Sequence, residues 1–174
     1  MKFYKNELSM IKIKCGISTY YMVSSIVLLA LILYLIVYSF RGMLFGESYI
    51  MLHALVFLIV VFTLIYGISL TPRKIILDEK SLCVQFLFSR KKIDFEDIAE
   101  IKRLTPNKMD IRVFGISGLF GKIGLFYSRT FNKRYKAYVT DKNKSFFILK
   151  KNGQILELSC SSPDLVLEKW NTIA

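Results

Sequence analysis

Two apolar runs lie close together near the start of the chain, and no other feature restricts its architecture so strongly. Residues 17–40 contain no Asp, Glu, Lys, Arg or His. As a helix these 24 residues extend about 36 Å, enough to cross a hydrocarbon core of roughly 30 Å with some tilt. Residues 48–70 form a second run that carries only His53 as a charged or readily titrated group. At the same rise it reaches about 34 Å. The first run is too long for the apolar part of a signal peptide and no small-x-small cleavage site follows it, so the anchor is expected to stay attached.

Only residues 41–47 separate the two runs, with glycines at 42 and 46. A connector that short returns the second helix antiparallel beside the first. Lys2, Lys5, Lys12 and Lys14 precede the first run, Arg73 and Lys74 follow the second, and the connector holds Arg41 and Glu47. The positive-inside rule then puts both termini in the cytoplasm and the 41–47 loop outside. His53 has two readings, a functional intramembrane group or a neutral imidazole reaching the headgroups near the outer interface. Neither helix carries a second buried acid or base to serve a proton relay, which argues against a transporter or channel.

The 174 residues are 53% hydrophobic yet hold 25 Lys and Arg against 13 Asp and Glu, and a mean hydropathy of +0.42 accommodates both only if the two kinds of residue are segregated. Residues 71–174 carry 20 of the basic and 11 of the acidic residues, a basic domain of ordinary size. Intrinsic disorder, a disulfide scaffold and a collagenous chain are excluded by the apolar content, three cysteines and nine glycines.

In this domain, Thr71-Pro72 ends the second helix. Lys74 to Leu77, a turn at 78–81 and the run 82–88 read as a hairpin; residues 92–95 and 98–104 read as further short strands. Residues 134–140, 145–150 and 154–159 read as three successive antiparallel strands, the last two joined by an Asn152-Gly153 turn. Ser161, Ser162, Pro163 and Asp164 open an amphipathic helix with Val166, Leu167 and Trp170 on one face. The expected fold is thus a membrane α-helical hairpin plus a cytoplasmic mainly-β domain, an antiparallel barrel of about seven strands capped by a C-terminal helix under which Trp170 is buried.

This order, with IAEIK at residues 98–102 after KIDFED, FGISGLFGKIGLFY at 114–127 and the hairpins of 135–159, resembles bacterial PH-like domain proteins of the pleckstrin-homology superfold. The resemblance implies a PH-like barrel fused to membrane helices. Its first hairpin loop, Asp78-Glu79-Lys80-Ser81, is half acidic, whereas lipid-binding PH domains hold inositol phosphates with basic residues there. Phosphoinositide binding is therefore not carried over.

Gly115, Gly118, Gly121 and Gly124 recur every third residue but match neither GxxxxGK[ST] nor GxGxxG, so no nucleotide cofactor is expected. The segment reads as a folded-back loop filling the domain's own core, or else as one whose Leu119 and Phe120 project into the membrane interface or a partner groove. Lys122, Arg129, Lys133, Arg134 and Lys136 complete the candidate contact set for membrane or partner. The clusters Arg90-Lys91-Lys92, Lys142 with Lys144, and Lys150-Lys151 read as solvated turns and strand ends. Asp94, Glu96, Asp97 and Glu100 read as solvated acids balancing nearby lysines.

No His lies in the domain, and Cys15, Cys83 and Cys160 are too scattered for a CxxC, so no catalytic residue, metal site or cofactor is expected. No nucleic-acid motif appears either. The sequence points to a non-enzymatic, membrane-tethered PH-like module, a scaffold or regulator for a protein partner or the anionic inner leaflet. The alternative is an accessory subunit of a membrane enzyme or transport complex, and homo-oligomerisation is compatible with both. Reporter fusions at Gly46 and at the C-terminus are expected to report outside and inside respectively; a cytoplasmic signal at Gly46 would remove the helical hairpin.

Overall fold

The computed structural model describes residues 10–44, 50–103 and 110–173, so residues 45–47 of the expected outer loop, the first two residues of the second apolar run, and the 104 end of one expected strand lie outside the described residues. After strand β1 (Ile11–Lys14) come the two helices α1 (Thr19–Leu44) and α2 (Ile50–Ser69), both long and apolar enough to cross a membrane. α1 runs past the apolar segment to take in Arg41. The helices pack side by side, with Ser39 and Gly42 buried. A Cβ on Gly42 would lie 2.6 Å from the His53 ring, and Tyr38 meets that ring edge-on at 5.5 Å. His53 thus sits in the seam between the helices, half-exposed.

The remaining chain forms β2 (Lys74–Leu77), β3 (Ser81–Gln85), β4 (Arg90–Asp94), β5 (Ile98–Lys102), β6 (Ile111–Ser117), β7 (Lys122–Ser128), β8 (Lys133–Val139), β9 (Ser145–Lys150), β10 (Ile155–Ser159) and helix α3 (Pro163–Ile173). One sheet has the order β1-β2-β3-β4, the other β5-β9-β10-β8-β7-β6. The expected barrel of about seven strands is corrected here: the described strands make two separate sheets of four and six, not a closed barrel. β4, rich in Arg and Lys, is left as the edge of the smaller sheet, and charge on an edge discourages further pairing.

The expected run of three successive antiparallel strands is also corrected. β10 lies between β9 and β8, antiparallel to the first and parallel to the second. Ser159 holds this arrangement, its Oγ accepting from the Thr140 N–H at 2.8 Å and the Asp141 N–H at 3.2 Å. Every residue of β10 is buried, as befits a strand flanked on both sides and covered on both faces.

Residues 11–14, ahead of the first helix, join the smaller sheet of the domain. β1 pairs antiparallel with β2 from Ile11↔Leu77 to Lys14↔Lys74. Beyond it, Cys15 N–H donates to the Arg73 carbonyl, Ser18 N–H to the Thr140 carbonyl and Ser161 N–H to the Lys14 carbonyl, each at 2.9 Å. Both flanks of the helical hairpin are thereby fixed on the same side of it.

The main core lies between the sheets, where Ile75, Leu77, Leu82, Val84, Ile93, Ile98, Phe146, Ile148 and Leu158 are almost wholly enclosed, and Val166 of α3 closes it. Trp170 is only half-buried and packs beside Phe95 at 6.2 Å, so Val166, not Trp170, is the plug. A second apolar cluster, Phe126, Tyr135, Ala137, Val139, Phe147 and Ile155, occupies the other face of the six-stranded sheet.

The Gly-rich segment is a β-hairpin, β6 with β7, and not a folded-back loop. Gly115 and Gly124 are cross-strand partners at φ +129° and +133°, and a Cβ on Gly124 would lie 2.3 Å from the Phe114 carbonyl oxygen. Gly124→Ala is therefore expected to lower stability by more than about 2 kcal/mol, from strain and clash together. Gly16→Ala, with nothing within 4 Å of the added carbon, should stay within about 0.5 kcal/mol of wild type. Thermal melts of both variants in detergent, followed by circular dichroism, make the comparison.

Candidate binding surface beside the apolar helices

The tip of the β6–β7 hairpin is seated on the two helices. Ser24 Oγ donates to the Gly118 carbonyl at 2.7 Å, and the Phe120 N–H donates to Ser25 Oγ at 2.8 Å. Ile116, Leu119 and Phe120 lie around Gly67 of α2, where a Cβ would come 3.2 Å from Ile116 and 3.5 Å from Leu119. Small residues at the seat, Ser24, Ser25 and Gly67, let the strand tip approach both helices closely. Leu119 is consequently buried and Phe120 half-buried. Neither fills the core between the sheets, because the groove that takes them is made by the chain's own helices.

Lys122 faces inward. Its Nζ lies 2.9 Å from Glu157 Oε2 and 3.3 Å from Asp110 Oδ2, it donates to the Tyr135 hydroxyl, and it sits 4.8 Å from the Phe126 ring centroid. The Tyr135 hydroxyl in turn donates to Asp110. This is a buried ion cluster on the outer face of the six-stranded sheet. Burial pushes the Glu157 carboxyl above its usual range, with Lys122 partly offsetting the rise; burial and the Glu157 charge push the Tyr135 phenol up.

The other candidates separate by strand alternation. Arg129 is exposed in the turn at 129–132, and Lys133 is exposed at the start of β8. Arg134 and Lys136 share the opposite face of β8 from Tyr135, and there the structure brings them together with Lys91 of β4 and Lys150 of β9. These four line a cavity of about 200 Å³ together with the apolar Leu125 and Leu156. Burial, then Lys136 and Lys150, hold the Lys91 ammonium below its usual range, and its Nζ lies 5.4 Å over the Tyr138 ring. Lys91 and Lys150 stood in basic clusters read as solvated turns. What assembles them is a strand order that local sequence does not encode.

Asp94 pairs with Lys92 at 2.8 Å and Glu100 with Lys102 at 2.9 Å, all half-exposed. Burial pushes the Cys15 thiol up to about 12 and the Cys160 thiol up to about 11, so both are protonated, weak nucleophiles at neutral pH.

Lys122→Met would strand the Glu157 and Asp110 carboxylates without their cation. The expected loss is about 3 to 5 kcal/mol at pH 7. A carboxyl whose folded pKa is raised favours the fold below its unfolded value of 4.5 and withdraws that contribution as pH rises through the folded value. The variant's deficit should therefore shrink at pH 4, as chemical unfolding at the two pH values would measure.

No curated protein and no solved structure matches the chain. The family described as bacterial PH domain matches residues 73–172, which takes in β2 to β10, all but the last residue of α3 and the whole basic surface. The protein belongs to the bacterial PH domain family.

Proposed function

We propose that the protein is a non-enzymatic PH-like module anchored in a bacterial cytoplasmic membrane, with both termini in the cytoplasm, that presents its basic face to the anionic inner leaflet and to a protein partner docked there. The observation that carries this reading is the double attachment of the domain to its helices. β1 enters the domain sheet directly before α1, and the β6–β7 tip is hydrogen bonded to Ser24 and Ser25. A domain held at both places stays beside the leaflet, where each nearby Lys or Arg contributes about 1 kcal/mol of attraction to anionic lipid. The protonated thiols of Cys15 and Cys160 and the engagement of Lys122 within an ion cluster support a binding role over catalysis.

The turn between β3 and β4 supplies a probe. Gln85 accepts from the Arg73 N–H at 2.8 Å just after α2, so the neighbouring turn with its exposed Phe88, followed by Arg90, Lys91 and Lys92, lies on the helix side of the domain. In the full-length protein with Phe88→Trp and Trp170→Phe, reconstituted in nanodiscs, Trp emission is expected to shift to the blue when phosphatidylglycerol replaces phosphatidylcholine. High salt should reverse the shift, since screening shortens the Debye length to about 3 Å at 1 M. Emission indifferent to both lipid and salt would overturn leaflet docking and leave the basic face to a protein partner.

A further inference from the structure

The six-stranded sheet is wider than the four-stranded sheet that covers it, and the overhang exposes a surface of particular composition. Register places Phe114, Leu125, Lys136 and Leu156 in one row across β6, β7, β8 and β10, so their side chains share a face. At Leu156 that face is the main core. Past the β4 edge it emerges as Lys136, Leu125 and Phe114. Here the cavity of Lys91, Arg134, Lys136 and Lys150 opens. Among the described residues none of these four forms a salt bridge.

The same face continues toward α2. Lys91 lies over Tyr138, and Tyr138 packs against Phe86 at 5.0 Å. Beside it, Phe62, Thr63 and Tyr66 of α2 and the segment 112–116 of β6 border an apolar groove of about 540 Å³ with Arg112 on its rim. Phe114 is 67% exposed and Phe62 71%, so these two walls of the groove are largely uncovered among the described residues. A row of unpaired cations thus joins, through Leu125 and Phe114, an apolar wall built on a helix long enough to cross a membrane.

We propose that this slot is a binding site for one anionic phospholipid of the leaflet that α2 enters, its phosphate-bearing headgroup among Lys91, Arg134, Lys136 and Lys150 and its acyl chains along Phe62, Tyr66 and Phe114. The assignment rests on the membrane-anchored reading above but asks for a discrete site in place of diffuse attraction. Four cations in one small cavity exceed the charge of a single phosphodiester, so a headgroup with more than one negative charge is preferred. An anion seated there offsets the burial, and then the repulsion by Lys136 and Lys150, that hold the Lys91 ammonium below its usual range. Leu125 and Leu156 give the slot a dry floor that strengthens each ionic contact.

The test uses the full-length protein in detergent micelles with added cardiolipin, phosphatidylglycerol or phosphatidylcholine, and bound lipid counted by native mass spectrometry. One cardiolipin per chain should be retained most strongly, phosphatidylglycerol less and phosphatidylcholine least. Lys91→Gln with Lys136→Gln should weaken cardiolipin retention by about tenfold or more, whereas Lys80→Gln with Lys102→Gln, an equal charge loss outside the slot, should change it less than about twofold. Phe114→Ser should weaken cardiolipin but leave binding of inorganic pyrophosphate unaltered. Equal weakening by the two lysine doublets would overturn the slot while leaving leaflet docking standing, since the Phe88→Trp probe reads that separately. Retention of cardiolipin no better than phosphatidylcholine would overturn it outright. Pyrophosphate binding as tightly as cardiolipin, with Phe114→Ser without effect on either, would assign the site to a soluble phosphate and overturn the lipid.

Discussion

Pairing of β1 with β2 joins residues 11–14 to residues 74–77, and between those strands the chain makes its whole excursion through α1 and α2. Closing so long a loop is entropically costly only once, because the cost grows slowly with loop length. Once made, the ladder puts both helix ends on one side and sets the domain directly against them. The amides of Cys15 and Ser18 and the carbonyl of Lys14 extend this attachment to Arg73, Thr140 and Ser161, so the segment before α1 stitches the two sheets together. A fragment beginning at residue 72 would lack that strand and leave the β2 edge open.

The hairpin seat on the helices follows from the same constraint. With the domain base fixed, β7 and β6 extend the larger sheet until its tip reaches Ser24, Ser25 and Gly67. Serine hydroxyls on an apolar helix would otherwise bond back to their own helix, as Ser25 also does to the Tyr21 carbonyl at 2.5 Å. Here they also satisfy the backbone of the hairpin tip, which has few other partners beside an apolar helix. Leu119 is buried by that contact, and the basic slot is left on the uncovered part of the same sheet.

On the sheet's other face, Lys122, Glu157, Asp110 and Tyr135 are arranged differently from the cations of the slot. The Lys122 charge is neutralised and enclosed, with side-chain exposures of 11% for Lys122, 7% for Asp110 and 1% for Glu157. Such clusters add little net stability over an apolar replacement but penalise any arrangement that separates the partners. Glu157 on β10 and Lys122 on β7 are brought together only if β8 alone lies between their strands. The ion cluster is thus tied to the strand order that the local pattern missed.

Length and charge placement along the sequence determined the two helices, their antiparallel return, the basic β-rich domain and the start of α3 at Pro163, because each depends on neighbours a few residues away. The PH-like character was legible in the same way, from short strands, the Gly-rich segment and the Asn152-Gly153 turn. Tertiary structure decided what depends on distant pairing: β1 as part of the domain, β10 between β9 and β8, and two sheets in place of a barrel. It also divided the basic candidates. Lys122 went inward because Glu157 and Asp110 wait for it, Leu119 and Phe120 met the helices, and Arg134 and Lys136 joined Lys91 and Lys150 across strands far apart in sequence. A two-residue alternation tells which side chains share a face of one strand, but which strands lie beside it is fixed only when the whole chain has folded.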